Sequence, residues 1–211
     1  MMHQVDVYEL DAFEIGGDED TCAPLVASMY RLQRQHCEQD RLEQLGLGLL
    51  MAHVLGVTDD GQVGTSPWGK PRLASGQPPF FNISHDAGLV VLAVADAPVG
   101  IDAQAIGVVD ESVARRFFSP DVHAALLAAD DRERPVIFAR HWTVLEACLK
   151  ANGTGFDVDR GDIPGILAHW VTQTWCRPSG FMISCAASEP FVPKRHLMSY
   201  RQGGLHERMA C

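Results

Sequence analysis

The stretch that most constrains this chain is HWTVLEACLK, residues 141–150. At helical spacing Trp142, Val144, Leu145, Ala147, Cys148 and Leu149 cover most of the circumference. Thr143, Glu146 and Lys150 are left as one narrow polar stripe. A surface helix shows a broad polar face, whereas one this apolar must be covered on several sides. Its stripe therefore faces a partner, a metal or a pocket, unless Glu146 and Lys150 simply form an i,i+4 pair worth about 0.3–0.5 kcal/mol.

Such a helix needs strands to cover it. VDVYELDAF (5–13) alternates with period two and reads as a strand. Helical material follows from about Pro24 to Gly56, broken near Cys37–Asp40, with Gly56 as its stop. Residues 58–79, which include WGKPRL, read as loop. FFNIS (80–84) reads as a strand ending at His85, while LVVLAVAD (89–96) and VGIDAQ (99–104) read as two more, joined by a tight Ala97-Pro98 turn. Asp110 and Ser119-Pro120 mark two helix starts. The apolar helix is expected from Pro135 to Ala151, stopping at Asn152-Gly153, and a hairpin forms around residues 177–180. Both halves thus hold one long helix and a few strands. The expected class is α+β, with two pseudo-symmetric halves, each a small mostly antiparallel sheet packed with a long helix. The halves are expected at 1–101 and 102–201, with a mobile tail over 202–211 that has few core residues.

Composition excludes some functions. No apolar run in the 211 residues approaches the roughly 18 or more that a membrane span needs, so no membrane partner is expected. The first twenty residues are acidic and alternating, unlike a secretory or mitochondrial leader, and a cytoplasmic location is expected. Six cysteines without a CxxC pair fit reduced thiols. A net charge of −10 argues against nucleic acid and anionic membranes, which makes the few basic residues informative.

Four constellations carry chemistry. Asp102 closes the VGIDAQ strand, with Gln104 on the same side; together with Glu146 they could hold Mg2+, which binds through a few oxygens and keeps waters. Taken alone, Asp102 reads equally as a turn-closing residue. Ser84 and His85 follow a buried strand and could grip a phosphate, or His85 could be structural. Ser84 has no GxSxG elbow around it. Lys70 and Arg72 sit in PWGKPRL, where Trp68 and Pro71 make a stiff, flat-faced loop and Gly69 allows close backbone approach; it reads either as a solvated loop or as an adenine site. Lys150 would meet a phosphate if Glu146 binds a metal. Neither GxxxxGK[ST] nor GxGxxG is present.

The order GKP (69–71), FNISH (81–85), VGID (99–102) and W[ST]xxEAxxK (142–150), with ARRFFS at 114–119, resembles the Sfp-type 4'-phosphopantetheinyl transferases over roughly residues 25–190. The resemblance implies two similar α+β halves with coenzyme A and Mg2+ bound between them. It implies that Asp102 and Glu146 ligate Mg2+, with Gln104 joining through its amide oxygen or a water. Lys70, with the backbone from Trp68 through Gly69 to Pro71, would hold the adenosine. Ser84 and His85 would contact its 3'-phosphate, which Arg31 also reaches, and His85 and Lys150 the pyrophosphate. Glu146, Lys150 and His85 would serve catalysis. The implied reaction moves phosphopantetheine to a serine of an acyl or peptidyl carrier protein and releases adenosine 3',5'-bisphosphate, from a monomer. Arg115-Arg116 before Phe117-Phe118 is a candidate dock for an acidic carrier. Three positions depart from the family: Gln104 replaces an acid, Leu145 a lysine, and Glu43 a common arginine. Two rival readings are a homologue that binds coenzyme A or carrier without efficient transfer, and a Mg2+-dependent phosphoesterase built on Asp102 and Glu146.

Overall fold

A computed structural model describes residues 3–31 and 37–208. In chain order the elements are β1 (His3–Asp11), α1 (Glu19–Cys22), α2 (Glu38–Leu55), β2 (Val63–Thr65), β3 (Pro71–Leu73), β4 (Phe80–Asp86), β5 (Leu89–Ala95) and β6 (Val99–Ala105). They continue with α3 (Glu111–Phe117), α4 (Pro120–Ala128), α5 (Glu133–Asn152), α6 (Ile163–His169), β7 (Val171–Arg177), β8 (Phe181–Ala187), β9 (Phe191–Arg201) and β10 (Gly204–Glu207).

The long helices form where the spacing and caps predict. Helix α2 starts at Cys37, whose sulfur accepts from the Asp40 amide, and ends at Gly56 in the left-handed region. Helix α5 stops at Gly153, also left-handed, as the Asn-Gly signal requires. Asp110 and Ser119 cap α3 and α4 through their side chains.

Strands form two main sheets, ordered β10-β9-β1-β5-β4 and β6-β8-β7, plus a small β2-β3 hairpin. All pairings are antiparallel except β1 with β9. The same path recurs: β1, helix α2, then β4 and β5 in the order β1-β5-β4; and β6, helix α5, then β7 and β8 in the order β6-β8-β7.

Alternation along the strands explains how these units stack. In β5, Val90 and Leu92 join the core under α2, while Leu89, Val91, Ala93 and Ala95 meet Val99, Ile101 and Ala103 of β6 and Ile183, Cys185 and Ala187 of β8. The run LVVLAVA is continuously apolar because both faces of its sheet are covered. The layers run α2, large sheet, small sheet, α5. Ala186 meets Ala147, Cys148 and Ala151 on the outer face of the small sheet. Inside the sheet-to-sheet layer, Glu9 is fully buried; Arg195 Nε donates to it at 2.7 Å and Trp175 Nε1 at 3.2 Å, with Arg177 Nε 3.6 Å away.

Several boundaries differ from expectation. Strand β1 ends at Asp11, whose carboxylate accepts from the Phe13 amide and turns the chain into a short 3-10 segment. Residues Ala23–Leu25 and Ser28–Tyr30 are 3-10 turns rather than helix, because Val26 and Ala27 between them are extended. The part of that expected helix at 32–36 lies outside the described residues. The loop at 58–79 contains the β2-β3 hairpin, and β5 and β6 belong to different sheets instead of pairing. The tail also needs correction. Residues 204–207 pair with β9, and Leu205 is buried in the α2 core, so β9 and β10 return the chain to the first sheet.

Close contact of α5 on β6 rests on Gly100, where a Cβ would fall 2.0 Å from the Ala147 carbonyl oxygen and 2.5 Å from the Ala151 nitrogen. Both are backbone atoms, so the helix would have to move. Gly100→Ala is expected to cost about 1–3 kcal/mol in chemical denaturation, the usual range for overpacking. Gly107→Ala, where a Cβ meets nothing within 4 Å, should stay within about 0.5 kcal/mol.

Candidate functional site

Strand β4 is joined to the edge of β6 by side chains rather than by a backbone ladder. Asn82 Oδ1 accepts from the Ile101 amide at 2.8 Å, Ser84 Oγ from Ala103 at 3.3 Å, and Asp86 Oδ2 from Ala105 at 2.6 Å. Period-two geometry therefore puts Asn82, Ser84 and Asp86 on the β6 side, while Phe81 and Ile83 enter the α2 core. His85 points the same way as Ile83 and reaches α2.

At this junction opens a cleft of about 340 Å3. Its lining takes Ser84, His85 and Asp86 from β4, Asp102 and Gln104 from β6, Trp142, Glu146 and Lys150 from α5, and Gln44 and Leu47 from α2. Six residues expected from sequence thus meet in one place. Gly100, Asp102 and Gln104 alternate with the inward Ile101 and Ala103, so the acid and the amide face α5.

Lys150 does not pair with Glu146 along its own helix. Its ammonium donates to Asp102 Oδ1 at 2.6 Å and to Ser84 Oγ at 3.1 Å, and Ser84 Oγ donates to the same Asp102 oxygen at 2.8 Å. Burial pushes the Asp102 carboxyl up and Asp86 adds to this, while Lys150 and Ser84 pull it back. Glu146 is pushed up to about 7, mainly by burial and then by Asp102, with Lys150 opposing. A carboxyl balanced near neutrality can release or take a proton at little cost. Thr143, the third member of the polar stripe, is structural: its hydroxyl is 2.8 Å from Ser184 Oγ on β8 and donates to the Arg140 carbonyl. Cys148 is pushed up to about 12 by burial and stays a thiol.

Other expected residues lie outside the lining. Arg31 donates through Nε and Nη2 to the Val26 carbonyl of its own turn. Trp68 is 58% exposed at the tip of the β2-β3 hairpin. Gly69 is needed there for its φ of +82° rather than for space, since a Cβ at that position would meet nothing within 4 Å. Pro71 opens β3. Lys70 Nζ donates to the Val99 carbonyl at 3.0 Å, and burial pushes its ammonium down to about 8.

One residue, Asp86, escaped the sequence reading, as did the contacts of Glu43 and Leu145. Asp86 also accepts from Gln104 Nε2 at 3.0 Å, which fixes the amide and leaves its oxygen free. Its signal was present in the polar N-x-S-x-D alternation of FNISHD. Glu43, buried in α2, lies 2.7 Å from His85 Nδ1. Leu145, 2% exposed, packs with Leu149, Ile163, Phe117 and Leu167, so an apolar cluster with α6 fills the place where the family carries lysine.

Comparison with known proteins agrees with the motifs. Residues 98–184 match the 4'-phosphopantetheinyl transferase superfamily. Among curated proteins, the chain is 40% identical over 87 residues to 4'-phosphopantetheinyl transferase psf-1 of Bacillus pumilus, covering 41% of this chain and 37% of that protein. It is 32% identical over 99 residues to 4'-phosphopantetheinyl transferase Sfp of Bacillus subtilis (strain 168), covering 47% and 44%. Similarity to 4'-phosphopantetheinyl transferase AcpT of Salmonella typhimurium is 35% over 88 residues, covering 40% and 46%. The chain spans about two fifths of the length of these relatives. Its likeness to Sfp-type enzymes is thus shown, and the matched span takes in VGIDAQ, ARRFFS and HWTVLEACLK.

The raised Glu146 carboxyl has a sign that can be checked. Between the ordinary value of 4.5 and about 7, the folded protein binds more protons at this group than the unfolded chain does. Its contribution to stability therefore falls as pH rises through that window and is most unfavourable above it. In metal-free protein, Glu146→Gln is expected to raise stability at pH 8 by on the order of 1–3 kcal/mol, with little difference at about pH 4. Denaturant titrations in chelator across that pH range measure this. Lys150→Met, which strips the buried Asp102 carboxylate of its partner, should instead cost about 3–5 kcal/mol at neutral pH.

Proposed function

We propose that the chain transfers 4'-phosphopantetheine from coenzyme A to a serine of an apo acyl or peptidyl carrier protein, with Mg2+, releasing adenosine 3',5'-bisphosphate. One observation carries this reading: Ser84, His85, Asp102, Gln104, Glu146 and Lys150, drawn from three motifs far apart in sequence, line a single cleft. Their side chains combine hard oxygen donors with cations, which is what a pyrophosphate and its metal ion require.

The donor set fits Mg2+. Among the described residues no three His, Cys, Asp or Glu side chains gather as a metal cluster. What the cleft offers is the carboxylates of Asp102 and Glu146 and the Gln104 carbonyl oxygen, while the third acid, Asp86, accepts from the Ala105 amide and Gln104 Nε2. Few protein oxygens with room for water and phosphate oxygens suit this ion. When bound, Mg2+ would neutralise charge on the pyrophosphate and the departing phosphate.

The chain's own residues do the rest. Lys150, already between Asp102 and Ser84, turns its ammonium toward the pyrophosphate, and His85 offers a ring nitrogen to the phosphates. Ser84 steadies this arrangement through its bonds to Asp102, Lys150 and the Ala103 amide. Glu146 takes the acceptor serine's proton, directly or through a water it holds. The serine oxygen then bonds to the phosphorus that carries pantetheine, as the bond from that phosphorus to the adenosine bisphosphate oxygen breaks. Positioning and charge neutralisation dominate such transfers. Lys70, with the Trp68–Pro71 backbone, holds the adenosine at the hairpin tip, and Arg31 would release the Val26 carbonyl to serve the 3'-phosphate.

An acidic carrier finds a matching surface beside the cleft. Arg116 lies 5.0 Å and Arg160 5.9 Å from the Phe117 ring centre, and the exposed Phe156 stacks at 5.6 Å on Trp142, which lines the cleft. Cations over apolar rings suit an acidic amphipathic partner. Both walls of the cleft come from one chain, which fits a monomer. Among the described residues, the free thiols at positions 22, 37, 148, 176 and 185 fit a reducing cytoplasm. A second reading, binding without efficient transfer, is favoured by Lys150 occupying Asp102 and by the neutral Gln104.

Incubation with apo carrier, coenzyme A and Mg2+, followed by intact-mass measurement, tests the activity. One phosphopantetheine should be added per carrier, and Glu146→Gln and Asp102→Asn should each lower the rate at least about 100-fold. Tight coenzyme A binding with no mass gain on any of several carriers would select the second reading.

A further inference from the structure

Glu43 is an acid in a place that explains little by packing alone. It sits in α2 among Leu42, Leu45 and Leu47, its side chain is only 4% exposed, and it stands where the family resemblance leads one to expect arginine. Three donors converge on it: His85 Nδ1 lies 2.7 Å from Oε2, while the Gly88 amide at 2.7 Å and Gln39 Nε2 at 2.9 Å donate to Oε1. An ionised carboxylate only accepts, so the His85 nitrogen facing it must carry a proton. Nδ1 is thereby committed to α2. His85 lines the cleft with a side chain 39% exposed, and Nε2 is the ring nitrogen that Glu43 does not engage.

We propose that Glu43 is a positioning residue: it fixes the orientation and protonation of His85 so that Nε2 faces the donor's phosphate. The claim deepens the transferase reading and rests on it for the identity of the phosphate. When a phosphate oxygen accepts from Nε2–H, the ring holds two protons, and the second is already bonded to the Glu43 carboxylate, which offsets the charge. The Gly88 and Gln39 bonds hold the carboxylate itself in place, so the ring is locked before any ligand arrives. Other charged groups in the same cleft lining are Asp86, next to it on β4, and, on the elements packed against it, Asp102 of β6 and Glu146 and Lys150 of α5. Of the described acids, Glu43 is the one bonded to the ring. An arginine at this position would instead leave His85 without an acceptor for Nδ1–H.

Two measurements test this together. Nitrogen-15 NMR of the imidazole in the metal-free protein should show Nδ1 protonated, and Glu43→Gln should change that ring signature while circular dichroism stays native. Coenzyme A affinity, by calorimetry, should fall about 10-fold in Glu43→Gln, as expected for losing the partner of one charge-assisted bond. In turnover the loss should appear in KM for coenzyme A rather than in kcat. The same substitution made in a His85→Ala background should change affinity less than about 2-fold, because the effect passes through the ring. An equal loss in both backgrounds, or a ring with bare Nδ1 in the parent, overturns the proposal. If coenzyme A binds no form of the protein, the transferase reading fails and the positioning claim stands or falls on the ring spectrum.

Discussion

The arrangement on which this structure depends is a row of three bonds in which side chains take the place of a neighbouring strand. Strand β6 pairs with β8 on one side and would leave amides at 101, 103 and 105 without partners on the other. Asn82, Ser84 and Asp86 accept from those three amides. A buried orphan amide costs about 1–3 kcal/mol, so each of these polar side chains is worth far more here than on a surface. The row also locks the two sheets in register. Once Ser84 is opposite Ala103, Asp102 and Gln104 are presented toward α5, and the Ser84 hydroxyl is within reach of the Asp102 carboxylate.

Electrostatics in the cleft follow from that placement. Asp86, Asp102 and Glu146 bring acids toward one point, and Lys150 is the cation that meets them within its walls. Lys150 bonds to Asp102 because that carboxylate is the more deeply buried and loses more without a partner. Glu146 is left to rise to about 7. The i,i+4 spacing that suggested a simple helix pair therefore serves two different ends: one residue stabilises a buried acid on a neighbouring strand, and the other keeps an adjustable proton. A chain with net charge −10 thus places a cation inside its acid-rich cleft.

Much of this was legible in the sequence because the signals were local. Asn152-Gly153, Gly56, Asp110 and Ser119 marked helix ends through capping chemistry that depends on a few neighbouring residues. The narrow stripe on α5 announced a pocket, and motif order assembled its walls. What could not be read was long-range pairing. Nothing in LVVLAVAD and VGIDAQ reveals that the three-residue connection 96–98 hands the chain from one sheet to another, since a hairpin would use the same residues. Strand β9 escaped notice because Pro193, Lys194 and Arg195 interrupt its apolar pattern, and its partner β1 lies at the far end of the chain. Within the site, Asp86 and the bond of Glu43 to His85 were missed for the same reason: the partners are 18 or 19 and 42 residues away.

Leu145 shows how a departure from a family pattern can be absorbed. A lysine at that position would have to carry an ammonium through Phe117, Ile163, Ile166 and Leu167 or bend back toward Trp142. Helix α6 instead covers the position, and leucine, at 2% exposure, completes the apolar cluster. That cluster packs the side of α5 next to the cleft, and Trp142 belongs both to it and to the cleft wall, so the packing resists rotation of the helix that would relieve the crowding of acids on its polar side. Relative to the pattern the resemblance implies, position 145 on α5 loses a positive charge and position 43 on α2 exchanges one for a carboxylate. One helix is held by packing, the other reaches His85 through a carboxylate, and the cleft-lining groups between them are oriented from both sides.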